Sequence, residues 1–177
     1  ISVVTPCFNE EGNVRELYQR IKAVFDKLPQ YRYEHIFIDN ASTDGTVPIL
    51  RQLAASDPAV KVILNMRNFG QIRSPHHGVL QAYGDAVVVM VADLQDPPEL
   101  IPTFIERWEG GERIVLGVKE ESEEAWLMFG LRRLYYKLLS RISDVELIQN
   151  ATGFGLYDRS FVDLLRTLDD PYPYGRG

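Results

Sequence analysis

The sequence is poor in cysteine, has no long apolar run, and lacks the glycine-rich first turn that dinucleotide-binding α/β chains carry. Cys7 is the only cysteine, which excludes an internal disulfide and fits a reducing compartment. No run of about eighteen apolar residues occurs, so nothing within the chain reads as a membrane span, and no segment has the form of a signal peptide. Basic residues are outnumbered, 19 to 25, for a formal net charge of −6. That balance argues against a protein whose main partner is a nucleic-acid backbone. It does not argue against a nucleotide, because a local basic cluster or a metal can still hold a diphosphate. There is no internal repeat and no low-complexity stretch.

What is present is ordinary globular composition, 45% hydrophobic and 25% charged over 177 residues, which suits one domain spanning residues 1–177. The chain opens directly on the apolar Ile1–Thr5 and stops at Tyr174-Gly175-Arg176-Gly177 with no closing element. A fragment of a longer protein is therefore expected. Short β-branched runs predict strands over Ile1–Thr5, Tyr33–Asp39, Val60–Asn65, Ala86–Val91 and Arg113–Val118. Helices are predicted over Glu11–Lys27, Thr46–Ser56, Pro75–Tyr83, Pro97–Glu109 and Glu123–Ile142, with a shorter one near Ser160–Leu168. Ile36-Phe37-Ile38 and Val87–Val91 are apolar throughout, as parallel strands covered on both faces should be. The alternation predicts an α/β fold with an open, mostly parallel sheet flanked by helices, whose ligands sit beyond the carboxyl ends of the strands.

The residues that follow each strand carry the candidate chemistry. After the first comes Pro6-Cys7-Phe8-Asn9-Glu10-Glu11-Gly12, where two glutamates would repel a pyrophosphate that a glycine-rich turn would cradle. Glu10 suits either a hydrogen bond to a ribose or base or, like Glu11, the dipole of the following helix. After the second strand, Asp39 ends an apolar run, and its partner is either a base or ribose edge or a loop N–H. Ser42 or Thr43 is expected to cap the next helix. After the fourth strand, Asp96 reads as an N-cap, Pro97 as the first helical turn and Glu99 as the return partner of a capping box. Asp93 and Gln95 remain. In an extended segment residues i and i+2 point the same way, so the two would offer oxygen ligands to one Mg²⁺ or Mn²⁺; a purely structural role stands level with that reading. Arg67, Arg73, His76 and His77 form either a phosphate or sugar contact surface or a solvated loop with Ser74-Pro75 starting a helix. The adjacent histidines face different ways and make no zinc site. His35, inside a strand, reads as structural.

Taken in order, Pro6-Cys7-Phe8-Asn9-Glu10-Glu11, Asp39-Asn40-Ala41-Ser42-Thr43-Asp44-Gly45-Thr46, Asn68-Phe69-Gly70, Gly84-Asp85 and Ala92-Asp93-Leu94-Gln95-Asp96-Pro97-Pro98-Glu99 resemble the family 2 glycosyltransferases of GT-A, Rossmann-like fold. Within that family the chain is similar to the polyprenyl-phosphate branch. The resemblance implies that Pro6, Phe8, Glu10 and Asp39 hold the base and ribose of a nucleotide sugar, with Asn40 as a further nucleotide-binding candidate; UDP is expected ahead of GDP, a choice that no residue here decides. It implies that Asp93 and Gln95 hold a divalent metal, Mg²⁺ or Mn²⁺, on the diphosphate. It further implies an inverting transfer at the cytoplasmic face of a membrane and a homo-oligomer formed through parts beyond this chain.

Three departures matter. Val91 stands where the family often has the first aspartate of a metal-binding pair. Asn40 replaces a second acidic residue after the second strand, which alters the nucleotide contacts. Thr152-Gly153-Phe154-Gly155-Leu156 stands where many relatives have Gly-Asp-Phe-Arg-Leu, so a residue often proposed as general base is a glycine. A sugar hydroxyl needs a base, whereas a phosphate monoester, with its second pKa near 6, is already largely the nucleophile. The missing base therefore favours a polyprenyl phosphate acceptor over a saccharide hydroxyl, the alternative acceptor. A non-catalytic nucleotide-sugar-binding module is the reading from another class. In the stretch Trp126–Ile142, an apolar stripe of Leu127, Leu131, Leu134, Leu138 and Ile142 beside basic residues suits either a membrane surface or packing on the sheet. Arg132 and Arg133 are the candidates for gripping the acceptor phosphate.

Overall fold

The computed structural model describes residues 1–118 and 151–168. The predicted helix Glu123–Ile142, and with it Arg132 and Arg133, lies outside the described residues. The first strand, β1 (Ser2–Cys7), is followed by α1 (Val14–Phe25), β2 (Glu34–Asp39), α2 (Thr46–Ser56), β3 (Val60–Leu64), α3 (Gly70–Leu80) and β4 (Ala86–Val89). A 3₁₀ turn over Pro98–Leu100 then leads into α4 (Ile101–Glu109) and β5 (Ile114–Val118), and β6 (Ala151–Asp158) leads into α5 (Arg159–Thr167). The sheet order is β3-β2-β1-β4-β6-β5. β1 to β4 run parallel, and β6 is antiparallel to both of its neighbours. The mostly parallel α/β sheet expected from the sequence is what forms.

The apolar strands are buried on both faces because successive side chains alternate between two cores. Val3, Phe37 and Val88 join Leu17, Ile21, Leu50 and Phe104 in one. Val4, Ile36 and Val87 join Val79 and Val162 in the other. Thus α1, α2 and α4 cover one face, while α3 and α5 cover the opposite one. α1 buries Val14, Leu17, Ile21, Val24 and Phe25, each such side chain contributing about 1.5–3 kcal/mol by leaving water. Tyr18 is half-buried, and its hydroxyl donates to Asp57 at 2.8 Å.

Three expectations are corrected. A sixth strand, β6, inserts between β4 and β5. Its Gly153 and Gly155 interrupt the β-branched pattern that marks a strand, yet Gly155 is needed there, because a Cβ would lie 2.7 Å from the Val115 carbonyl oxygen of β5. α3 begins at Gly70 rather than Pro75, so Pro75 sits inside it. The capping box at Asp96 and Glu99 does not form. Pro97, not Asp96, precedes the 3₁₀ turn, without a side-chain cap, and Glu99 instead takes two hydrogen bonds from Arg20 of α1, at 2.9 and 2.6 Å. Asp96 is buried.

Candidate functional site

The carboxyl ends of β1, β2 and β4 lie side by side, since β1 pairs with both of the others. The ends of β2 and β4 are therefore about 10 Å apart, two strand spacings, a span that suits a nucleoside diphosphate. Loops 8–13 and 40–46 are laced together across this edge. The Asn9 N–H donates to Ser42 Oγ at 2.8 Å, and Asn9 Oδ1 accepts from the Thr43 N–H at 2.9 Å. The Glu10 N–H donates to Thr46 Oγ1 at 2.8 Å. Ser42 and Thr43 therefore fasten the first loop rather than cap α2, whose N-cap position is Gly45. The capping contact there comes from Asp44, which accepts from the Thr46 N–H at 3.0 Å.

The two glutamates divide. Glu11 Oε2 accepts from the Gly45 N–H at 2.5 Å, so its charge complements the dipole of α2 rather than that of its own helix. A Cβ at Gly45 would lie 2.5 Å from that carboxylate and would push the Glu11 side chain off this contact. Glu10 is half-buried, with Oε2 accepting from Asn13 Nδ2 at 2.7 Å. Phe8 is exposed and Pro6 half-buried at the same strand end.

Asp39 is the most informative residue. Its side chain is 1% exposed. Oδ2 accepts from the Ser42 N–H at 3.0 Å, which is the loop partner foreseen as one alternative. Oδ1 is buried with no hydrogen-bond partner. An unmatched buried carboxylate oxygen costs about 1–3 kcal/mol or more, and it faces this cost at a sheet edge where a ligand donor could remove it. Beside it the Cys7 thiol is buried, and burial, then the nearby Asp39 and Glu10 charges, push its pKa well up. Cys7 is thus held as an inert thiol.

Asn40 has the opposite character. Nδ2 donates to Asn68 Oδ1 at 2.8 Å, and Oδ1 accepts from the Phe69 N–H at 2.8 Å and from Asn65 Nδ2 at 3.3 Å. Its amide holds the loop after β3 in place. Asn9, Asn65 and Asn68 were missed as site-building residues; the available signal was the preference of asparagine for turns and for left-handed backbone.

At the end of β4 the premise of an extended Asp93–Gln95 segment fails. Leu94 has φ 60°, and Asp93 Oδ1 accepts from the Gln95 N–H at 3.1 Å, so the alternation rule does not apply. Asp93 and Gln95 are nevertheless both exposed at the carboxyl edge. No group of three or more His, Cys, Asp and Glu side chains placed to hold a metal occurs among the described residues. The donor set is one exposed carboxylate, already accepting one backbone N–H, and an amide, a set that fits a hard cation sharing its shell with phosphate oxygens and water.

Left-handed backbone is concentrated here. Asn9 (φ 57°), Ala41 (φ 65°) and Leu94 (φ 60°) are the non-glycine residues with positive φ among the described residues. They fall in the loops after β1, β2 and β4 respectively. Each costs of order 1–3 kcal/mol, a strain typical of functional loops. A cavity of about 940 Å³ lies at the opposite, amino edge, lined by residues including Tyr31, Tyr83 and Arg113. Its position beyond the strand starts, away from the loops that follow β1, β2 and β4, sets it apart from the candidate site.

Residues 2–165 match the family model described as glycosyl transferase family 2, so the chain belongs to that family. It is 38% identical over 177 residues to the uncharacterized glycosyltransferase YkcC of Bacillus subtilis, covering 99% of this chain and 54% of that protein. It is 34% identical to the prophage bactoprenol glucosyl transferase homolog of Escherichia coli, covering 100% of this chain and 58% of that protein. The chain thus spans little more than half the length of these relatives. Among solved structures it resembles the GT-A enzyme glucosyl-3-phosphoglycerate synthase from Mycobacterium tuberculosis in complex with UDP, with a TM-score of 0.62 and 25% identity over 90% of this chain and 56% of that one. The same enzyme is also known in complex with Mn²⁺, UDP and phosphoglyceric acid.

Proposed function

We propose that residues 1–177 form the catalytic domain of an inverting glycosyltransferase that moves a sugar from a UDP-sugar to a polyprenyl phosphate at the cytoplasmic face of a membrane. The observation that carries the reading is Asp39, buried at the carboxyl edge with one oxygen satisfied and the other waiting for a donor. A base N–H or ribose hydroxyl fills that role. Phe8 and Pro6 border the nucleoside, Glu10 offers a second acceptor, and Asn40 acts by holding the loop that closes the edge.

Asp93 and Gln95 would hold Mg²⁺ or Mn²⁺ against the diphosphate. The cation, when bound, neutralises charge on the departing UDP. The support is the hard-oxygen donor set and the Mn²⁺ complex of the structural relative. Gly153 sits at φ 88° with open space around it, so no side chain there can serve as a base. A phosphate nucleophile needs none, and the relatives named for bactoprenol point the same way.

The test is transfer of radiolabelled glucose from UDP-glucose to undecaprenyl phosphate in detergent, beside an oligosaccharide acceptor. Label in the lipid supports the proposal. Label only in the oligosaccharide, or none in either, contradicts it.

A further inference from the structure

The loop from β3 into α3 has an unusual surface. From Pro58 to Gly84 there is no aspartate or glutamate, although the chain carries 25. Arg67, Arg73, His76 and His77 fall in that stretch; Lys61 does too, but it belongs to β3 and pairs with Glu34. Within it Met66 is 96% exposed, Ile72 51% and Phe69 38%, and the Arg67 guanidinium lies 4.8 Å from the centre of the Phe69 ring. Phe69, Ile72 and Arg73 line one shallow cavity of about 220 Å³. Apolar side chains standing out beside arginines, in a segment that carries no carboxylate of its own, are what an anionic bilayer attracts: the charges draw the segment to the headgroups and the apolar groups enter the boundary with the acyl chains. On a chain of net charge −6 this local reversal is the only part of the described surface suited to such a partner over so long a run of sequence.

We infer that the Met66–Arg73 segment, the end of the β3–α3 loop with the first turn of α3, is a membrane-docking surface for an anionic lipid bilayer. The loop is tied to the candidate site by Asn40, which accepts from the Phe69 N–H and donates to Asn68. Docking there turns the carboxyl edge, and the nucleotide beside it, toward the plane in which a lipid phosphate acceptor lies. The inference rests on the proposed function for its purpose, but its physical content is independent of the acceptor.

Vesicle flotation tests it with the 177-residue chain, using vesicles of phosphatidylcholine alone or mixed with phosphatidylglycerol. The chain should float with the anionic vesicles, bind the neutral ones far less, and be released by salt. Met66→Ser/Ile72→Ser, at two exposed positions and checked for an unchanged melting temperature, should bind the anionic vesicles about tenfold more weakly or worse. Transfer to undecaprenyl phosphate in detergent, measured on the same preparations, should be unaffected by the double substitution. Equal binding by the variant and the wild type overturns the inference. So does equal binding to both vesicle types, or a dimer abolished by the double substitution in a chain that binds no vesicles. Failure of detergent transfer in the wild type would instead count against the acceptor assignment, and the vesicle result would still decide the docking surface.

Discussion

At the amino edge of the sheet, Glu34 and Asp158 are each matched by several donors; at the carboxyl edge, one carboxylate oxygen is left unmatched. Glu34 accepts from Ser2 Oγ at 2.5 Å, from the Tyr83 N–H at 2.8 Å and from Lys61. Burial works to raise its pKa, but these donors outweigh that and hold it low. Asp158 takes hydrogen bonds from Ser160, Trp108 and Arg113, and these hold its carboxyl far below the usual range. Arg159 donates through Nε to the Gly84 carbonyl at 2.9 Å. Across the sheet, Asp39 keeps a buried oxygen without a partner, and three loops carry left-handed non-glycine residues. The amino edge has a cavity and, in Tyr33, a buried hydroxyl without a partner; the carboxyl edge has the unmatched carboxylate oxygen and the left-handed loops. The carboxylate is the better guide to a ligand, because an unmatched charged group costs more than a neutral hydroxyl and binding can repay it.

The largest expected effect is at the carboxyl edge. Asp93→Ala should lower transfer about 100-fold or more, the scale of losing charge stabilisation on the leaving diphosphate. Stability should change by about 0.5 kcal/mol at most, since Asp93 is exposed. Equal transfer rates in variant and wild type would remove Asp93 from the mechanism.

Between the edges lies His35. Burial pushes its pKa to about 3, and its Nε2 lies 3.0 Å from Thr5 Oγ1. The unfolded chain takes up a proton below about pH 6.5, whereas the folded state stays neutral until about 3. This group's contribution is therefore complete above pH 6.5 and is lost as pH falls toward 3, about 2–3 kcal/mol by about pH 4.5. Urea denaturation at the two pH values should show the loss, and His35→Leu should flatten it. An equally steep loss in that variant would assign the effect to other groups.

At the amino edge, Gly84→Ala places a Cβ 2.5 Å from the Ser2 nitrogen. Forcing it in should cost about 1–3 kcal/mol, lowering the melting temperature by about 2–4 °C per kcal/mol, while leaving UDP affinity unchanged. A drop in affinity would show that the two edges are coupled. The smallest effect expected is a gain. Ala41→Gly relieves a left-handed alanine and should raise stability by up to about 1 kcal/mol, net of the added backbone entropy. A melting temperature below that of the wild type would mean Ala41 is not strained.

Much of this was readable in the residues themselves. The apolar β2 and β4 announced a sheet covered on both sides, and Asp39 at the end of one of them announced an edge with a purpose. β6 was hidden because the glycine demanded by the close approach of β5 weakens the strand pattern that would reveal it. The capping box was misread at Asp96 and Glu99 because the sequence could not show Arg20 arriving from α1 to claim Glu99. Likewise the extended geometry assumed for Asp93–Gln95 depended on Leu94, a residue whose type gives no hint of positive φ. Local patterns carried the elements; long-range partners decided the side chains.

The contrast between the edges can be tested in one titration series. UDP should be titrated into the wild type, Asp39→Asn and Tyr83→Ala, with Mn²⁺ present. Asp39→Asn replaces a carboxylate by a neutral amide of nearly the same shape, and should weaken UDP binding about 10- to 100-fold, the value of a hydrogen bond to a charged acceptor. Tyr83→Ala, which alters the wall of the amino-edge cavity, should bind as the wild type does. Unchanged affinity in Asp39→Asn together with lost affinity in Tyr83→Ala would place the nucleotide at the other end of the sheet and contradict the account.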